Sequence, residues 1–170
     1  MLPLRTIEVH VFRVDIASGV VDLVAPLKGT QTYNEAVTKY FAALYVRLRE
    51  GYLPDEARHA FRTVTLMSAA DEQQRYADWA SPRNPKSFVA ILGQDGRADL
   101  VVKSITFPDR KLALVRFART VRQQGQLLTS HWQATLSFAF VAGDIAESDL
   151  AINPLGFVVS QYRIDAETAP

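Results

Sequence analysis

The chain has 170 residues, 48% of them apolar and 22% charged, the balance of one folded domain rather than of a disordered segment. A formal charge of +1 and the absence of cysteine exclude a long-range field for nucleic acid or anionic lipid, and with it disulfides, thiolate chemistry and Cys-ligated zinc. Apolar runs such as Phe88 to Leu92 and Leu136 to Gly143 fall short of the roughly 18 residues of a membrane span, and Met1 to Arg5 lacks the apolar core and cleavage site of a signal peptide, so any targeting segment is expected upstream of Met1.

Glu8 to Asp15 and Val20 to Ala25 are rich in strand formers and flank Ser18-Gly19, which predicts a hairpin. Thr32 and Glu35 have the spacing of a capping box, in which each side chain satisfies an orphan amide of the first helical turn. Val37, Tyr40, Phe41, Leu44, Tyr45 and Leu48 then recur on one helical face, with Lys39, Arg47 and Glu50 on the wet face and Gly51 at the stop. Pro54 suits the first position of a second helix that turns Ala57, Phe61, Val64 and Met67 inward. Ser68 and Asp71 are expected to cap a third helix carrying Tyr76 and Trp79, ended by Ser81-Pro82, and Asn84-Pro85 opens a short fourth that closes at Gly93.

After Asp95-Gly96 the period changes to two. Arg97 to Phe107 is predicted as a strand with Val101, Lys103, Ile105 and Phe107 on one side, and Pro108-Asp109 as a turn. Lys111 to Arg122 follows, with Leu112 and Leu114 on one face and Val115 and Phe117 on the other. From Ser130 to Val141, Trp132, Ala134, Leu136, Phe138 and Phe140 alternate with His131, Gln133, Thr135, Ser137 and Ala139, the pattern of a half-buried strand whose register a one-residue slip would invert. Asn153-Pro154-Leu155-Gly156 turns the chain into a last strand, Phe157 to Ile164. A hairpin, a cluster of helices and a run of strands indicate an α+β domain with helices packed on one face of a curved antiparallel sheet.

Few residues point to chemistry. Asn at the first, Pro at the second and Gly at the fourth position favour a type I turn at Asn153, Pro154, Leu155 and Gly156, and the loop is also a candidate protein contact. Tyr33, Tyr40, Tyr45 and Tyr52 lie on or beside the first helix, and Tyr45, Arg49 and Tyr52 near its end are the candidate self-association surface. His10, His59 and His131 have no metal-ligand spacing, and no phosphate-binding glycine loop occurs, with Gly125 and Gly143 reading as turn residues. Ser104 and Ser160 lack a nucleophile elbow. Arg116, Arg119 and Arg122 are read as a solvated edge, because a period of three does not align on a strand face.

Three stretches carry a family likeness. They are Leu4 to Glu8 running into Phe12-Arg13-Val14-Asp15 and Gly19-Val20-Val21-Asp22, then Tyr45 to Tyr52 with its Arg-Glu-x-Tyr ending, then Asn153-Pro154-Leu155-Gly156-Phe157 followed by Tyr162-Arg163-Ile164-Asp165. Ser104-Ile105, Val115-Arg116-Phe117 and Trp132 to Thr135 extend the likeness in order along almost the whole chain. Together they resemble the VirB8 family, the bitopic inner-membrane assembly component of bacterial type IV secretion systems. The resemblance implies a cone like that of nuclear transport factor two, and a single periplasmic domain over residues 1–170 with a cytoplasmic tail and transmembrane helix upstream. It further implies a non-catalytic scaffold without cofactor or metal, serving conjugation or the transfer of DNA or effector proteins. Its expected partners are inner-membrane and outer-core VirB-type components and further copies of itself, as a homodimer or higher oligomer, with no direct nucleic acid contact. The competing expectation is a small-molecule-binding or enzymatic domain of the same cone fold, with Asp99, His131 and Tyr162 as its acid-base groups.

Overall fold

Local pairing explains the first part of the chain. The computed structural model describes residues 11–14, 21–24, 30–141 and 146–167, and the chain divides into two units, Met1–Thr38 and Lys39–Pro170. Strand β1 (Val11–Val14) pairs antiparallel with β2 (Val21–Val24), Val11 opposite Val24, as the hairpin pattern predicts; its Ser18-Gly19 turn lies outside the described residues. Helix α1 (Thr30–Glu50) starts ahead of Thr32, so the expected capping box falls inside the helix.

The buried face of α1 consists of Phe41, Ala42, Tyr45, Val46, Arg49 and Glu50, whereas Tyr40 stands 51% exposed. The inward stripe is therefore turned from the one that apolar spacing predicts. Glu50, expected in water, is only 3% exposed, because Arg119 and the Tyr162 hydroxyl meet it inside the fold from the sheet. Gly51 follows at the stop: its N–H donates to the Arg47 carbonyl at 2.9 Å, and a Cβ there would lie 2.6 Å from that oxygen.

A 3-10 turn over Pro54–Glu56 leads into α2 (Ala57–Leu66), which buries Val64 beside Met67. Ser68 does not cap α3 (Ala70–Ala80); its buried hydroxyl instead donates back to the Val64 carbonyl at 2.6 Å, the short-range competition that serine offers a helix backbone. Helix α4 (Phe88–Leu92) is capped by Ser87, whose Oγ accepts from the Ala90 N–H, and closed by Gly93 at φ 57°.

Strands β3 (Arg97–Asp109), β4 (Leu112–Gln123), β5 (Gln126–Phe140) and β6 (Phe157–Ala166) form one antiparallel sheet in that order. Gln124 and Gly125 join β4 to β5 with φ 51° and 77°, the pair of left-handed residues that suits a tight hairpin between twisted strands. The alternation in β5 holds: Ala134, Leu136 and Phe138 are buried, and Phe138 stacks on Phe157 with ring centres 5.2 Å apart. Phe157 also stacks on Phe41 at 5.6 Å, which seats α1 on the sheet. Each such side chain contributes about 1.5–3 kcal/mol through burial.

Strand β3 departs from the predicted face. Val102 pairs with Phe117 and Ser104 with Arg116, so Lys103 is an extra residue, a bulge that changes which side chains point inward. Ala98, Leu100 and Val102 share the face of buried Phe117 before the bulge and Ile105 shares that of Val115 after it, while Val101 is left 66% exposed. In β4 the buried set is Ala113, Val115 and Phe117, with Leu112 and Leu114 half-buried.

Both sheet edges are tied to the helical layer. The Tyr52 N–H donates to Ala98 O at 3.0 Å and the Tyr52 carbonyl accepts from Ala98 N at 2.9 Å on β3; Ala69 and Met67 make the equivalent pair with Val159 on β6, each at 2.8 Å. These contacts satisfy backbone groups that a bare edge would leave open. The result is α+β, with helices on one face of the antiparallel sheet. Among the described residues no helix is long and apolar enough to cross a membrane.

Candidate functional site

Buried polar groups join α1, α3 and the sheet. Arg49 Nη1 donates to the Tyr45 hydroxyl at 3.0 Å; Tyr45 and Ser68 hydroxyls lie 2.9 Å apart, and the Ser68 hydroxyl donates to Val64 O. Since Ser68 donates to that carbonyl, Tyr45 is the donor to Ser68 and the chain of bonds has one direction. Arg49 Nη2 is 2.8 Å from Glu72 Oε1, while Arg75 holds Glu72 Oε2 at 2.9 Å. On the next residue of α1, Glu50 accepts from Arg119 Nη1 at 2.8 Å and from the Tyr162 hydroxyl at 2.9 Å.

Aromatic rings pack these charges. The Arg49 guanidinium lies 4.0 Å from the centre of the Tyr162 ring and 4.9 Å from that of Tyr76; Arg119 lies 4.7 Å from Trp132. Such contacts stabilise a desolvated cation through the ring quadrupole. Burial pushes the Glu50 carboxyl above its usual range, against the pull of Arg119, the Tyr162 hydrogen bond and Arg49. Burial likewise raises the Tyr45 phenol, and burial together with the Glu50 charge holds Tyr162 far above the ordinary phenol range. For Arg49, burial works against the charge, but Tyr45, Tyr162, Glu72 and Glu50 outweigh it and raise its pKa. Most polar atoms of the cluster are thus partnered within it.

The candidate association residues are thus inside the fold: Tyr45 is 0% exposed, and Arg49 and Tyr52 are each 8% exposed. Side chains covered by their own chain offer little contact area, so the expected surface formed by these three side chains is corrected. Their burial follows from partners distant in sequence, Ser68, Glu72 and Gly93; the last accepts from the Tyr52 hydroxyl at 2.7 Å. Arg119 is corrected as well, being turned inward onto Glu50 instead of lying on a solvated edge; Arg116 and Arg122 do face outward, paired with Glu167 and Asp99. The buried Arg119 Nε has no hydrogen-bond partner.

Asp99, His131 and Tyr162 do not converge. Tyr162 shares the helix-facing side of the sheet with Leu136, whereas His131 is on the other side with its Nδ1 2.8 Å from Lys103 Nζ, and Asp99 is held by Arg97 and Arg122. Across the outer face, the hydrogen bond from Arg116 lowers the Glu167 carboxyl pKa.

The Asn153 to Gly156 turn combines a buried frame with an exposed tip. The Asn153 amide accepts from Phe157 N and donates to Phe157 O, both at 2.9 Å, and Gly156 N donates to Asn153 O at 3.2 Å. Gly156 has φ 63°, and a Cβ there would be 2.2 Å from the Val141 carbonyl, so glycine is required. Pro154 and Leu155 project outward, Leu155 at 49% exposure. Nearby stand Phe140, Val141 and Tyr40: Val141 N bonds Gly156 O at 2.8 Å, and Phe41 touches both Tyr40 and Phe140 edge-on. This apolar patch was not legible as a unit, because its members come from α1, β5 and the turn.

A groove of about 830 Å³ opens elsewhere, between the end of α1, α2, α3, α4 and the start of β3. Aromatic rings run along it: Phe61 to Tyr76 at 5.4 Å, Tyr76 to Trp79 at 6.1 Å, Trp79 to Phe88 at 5.5 Å, Phe88 to Tyr52 at 6.2 Å. Phe61, expected in the core, is 39% exposed on this wall.

The family profile described as VirB8 protein matches residues 1–167. The type IV secretion system protein virB8 of Bartonella henselae is 44% identical over 169 residues, 98% of this chain and 72% of its own. That of Brucella suis is 31% identical over 98% of this chain and 71% of its own. Among solved structures, Agrobacterium tumefaciens VirB8 superposes with TM-score 0.78 at 30% identity, covering 86% of this chain and 99% of that one. The soluble domain of TrwG from Bartonella grahamii gives TM-score 0.74 at 31% identity, over 81% and 99%. The α+β architecture, the order of the sheet and this agreement along the chain establish that it belongs to the VirB8 family, assembly components of type IV secretion systems.

Proposed function

We propose that this type IV secretion component acts in the periplasm as a non-catalytic scaffold, held by an inner-membrane anchor and joined to inner-membrane, outer-core and further copies of VirB-type proteins. The observation that carries this reading is the apolar patch of Tyr40, Phe140, Val141 and Leu155, each 43–51% exposed, on a fold whose buried charges are already paired. An apolar patch rimmed by polar surface is the usual mark of a protein contact. A membrane anchor raises local concentration, so contacts too weak to persist in dilute solution suffice for assembly. The patch, rather than Tyr45, Arg49 and Tyr52, is the surface we assign to self-association, and the Pro154-Leu155 tip is part of it.

Sedimentation over a dilution series tests the assignment. Tyr40→Glu and Leu155→Glu should each shift the monomer–oligomer midpoint at least about tenfold, the cost of burying an unpaired carboxylate. Unchanged concentration dependence in both variants would remove the patch from the reading.

A further inference from the structure

We propose that the outer edge of β6, from Tyr162 to Ala166, pairs with the same edge of a second copy of this chain, antiparallel about a two-fold axis at Ile164. Glu167 donates its N–H to His131 O on β5 at 2.9 Å, and the pairing from Ala166 opposite Trp132 to Tyr162 opposite Leu136 is unbroken. Backbone groups of successive strand residues point alternately to the two sides, so those of Tyr162, Ile164 and Ala166 point away from β5. Met67 and Ala69 cover the edge at Val159, and Arg75 reaches Ser160 O at 3.4 Å. Beyond that point, no group among the described residues bonds the outward N–H and C=O of Tyr162, Ile164 and Ala166. The opposite edge of the sheet is guarded: β3 is bulged at Lys103 and carries Pro108, which has no N–H to offer.

The side chains select the occupant. Arg163 and Asp165 lie on the face of the sheet away from the helices, 72% and 50% exposed and 3.0 Å apart. With Ile164 opposite the partner's Ile164, Arg163 falls opposite the partner's Asp165, and Asp165 opposite the partner's Arg163. These are non-hydrogen-bonded pairs, in which cross-strand side chains come closest. Tyr162 then exchanges backbone bonds with the partner's Ala166, and Ile164 with its own counterpart. Sliding the strands by two residues sets arginine against arginine in one direction and aspartate against aspartate in the other. The edge is thus the charge complement of itself in one register, the self-complementarity that a two-fold contact requires.

Charge exchange tests the pairing. Arg163→Asp and Asp165→Arg each place like charges opposite one another, so either variant alone should associate about tenfold more weakly than the parent in sedimentation. Mixed in equal amounts, the two variants are complementary, and association should return as a heterodimer at the parent's strength. Both positions are exposed, and thermal unfolding of each variant should match the parent. In the parent, hydrogen exchange at the Tyr162, Ile164 and Ala166 amides should slow as concentration rises, while the Leu100 and Val102 amides on β3 stay unchanged. A mixture that associates no more tightly than either variant alone, or exchange at the three β6 amides that is independent of concentration up to millimolar chain, overturns the proposal. Neither result touches the patch of Tyr40 and Leu155, whose variants keep Arg163 and Asp165 intact.

Discussion

Arg49 lies face-on over Tyr162, its guanidinium carbon 4.0 Å from the ring centre, and so joins the first helix of the domain to the last strand of the sheet. The same guanidinium reaches Tyr45 and Glu72. Lysine keeps the charge and loses both the flat stacking surface and the fork of donors. Arg49→Lys should therefore destabilise the fold by about 1–3 kcal/mol, read as a lower urea midpoint with an unchanged slope.

Glu50 carries a pH signature. Burial, opposed by Arg119, Tyr162 and Arg49, raises its pKa in the folded chain above the unfolded value. Its contribution is then greatest below the unfolded pKa and declines as pH rises through the folded one. Glu50→Gln should remove that slope and, by leaving Arg119 buried without its counter-charge, cost about 3 kcal/mol at neutral pH. Pairing it with Arg119→Gln should recover part of the loss, a coupling that a double-mutant cycle in denaturant measures directly.

The exposed pair Arg116 and Glu167 behaves in the opposite sense. Its hydrogen bond lowers the Glu167 pKa, so the stabilisation is present above the unfolded carboxylate range and fades as pH falls through the folded value. Arg116→Gln should return the carbon-detected titration of the Glu167 carboxyl to the ordinary range. A midpoint that stays low in the variant would assign the shift to Lys103 and His131 instead.

The turn before the last strand separates shape from contact. Gly156→Ala should lose about 2 kcal/mol or more, since the left-handed backbone and the Val141 carbonyl at 2.2 Å both oppose a side chain. Leu155→Ser should stay within about 0.5 kcal/mol of the parent in thermal unfolding while weakening self-association. Equal stability losses in the two variants would make the whole turn structural.

The sequence made the layers readable because burial imposes a period: Ala134, Leu136 and Phe138 alternate with less buried neighbours, although Phe140, expected to continue the set inward, is 43% exposed, and Val64 and Met67 recur at helical spacing. It misplaced Tyr45, Arg49, Glu50 and Arg119 because their environment comes from distant chain. Arg119 and Glu50 are 69 residues apart, and Tyr162 and Glu50 are 112 apart, separations over which no local pattern carries information. The groove was hidden for a related reason: Phe61 and Trp79 look like core on a helical stripe, and only the relative placement of α2, α3 and β3 leaves their rings partly uncovered. The Asn153 turn was legible because its bonds are local.

Lys103 makes β3 a strand of two opposite phases. Deleting that single residue would leave Val102 opposite Phe117, Ser104 opposite Arg116 and Ile105 opposite Val115 in one unbroken alternation, so the strand would lose its bend and keep the same side chains beneath the helices. A one-residue change at this point therefore alters the bend of the edge strand and leaves its faces alone, whereas the same change within the regular pairing from Arg97 to Val102 would turn the following side chains over.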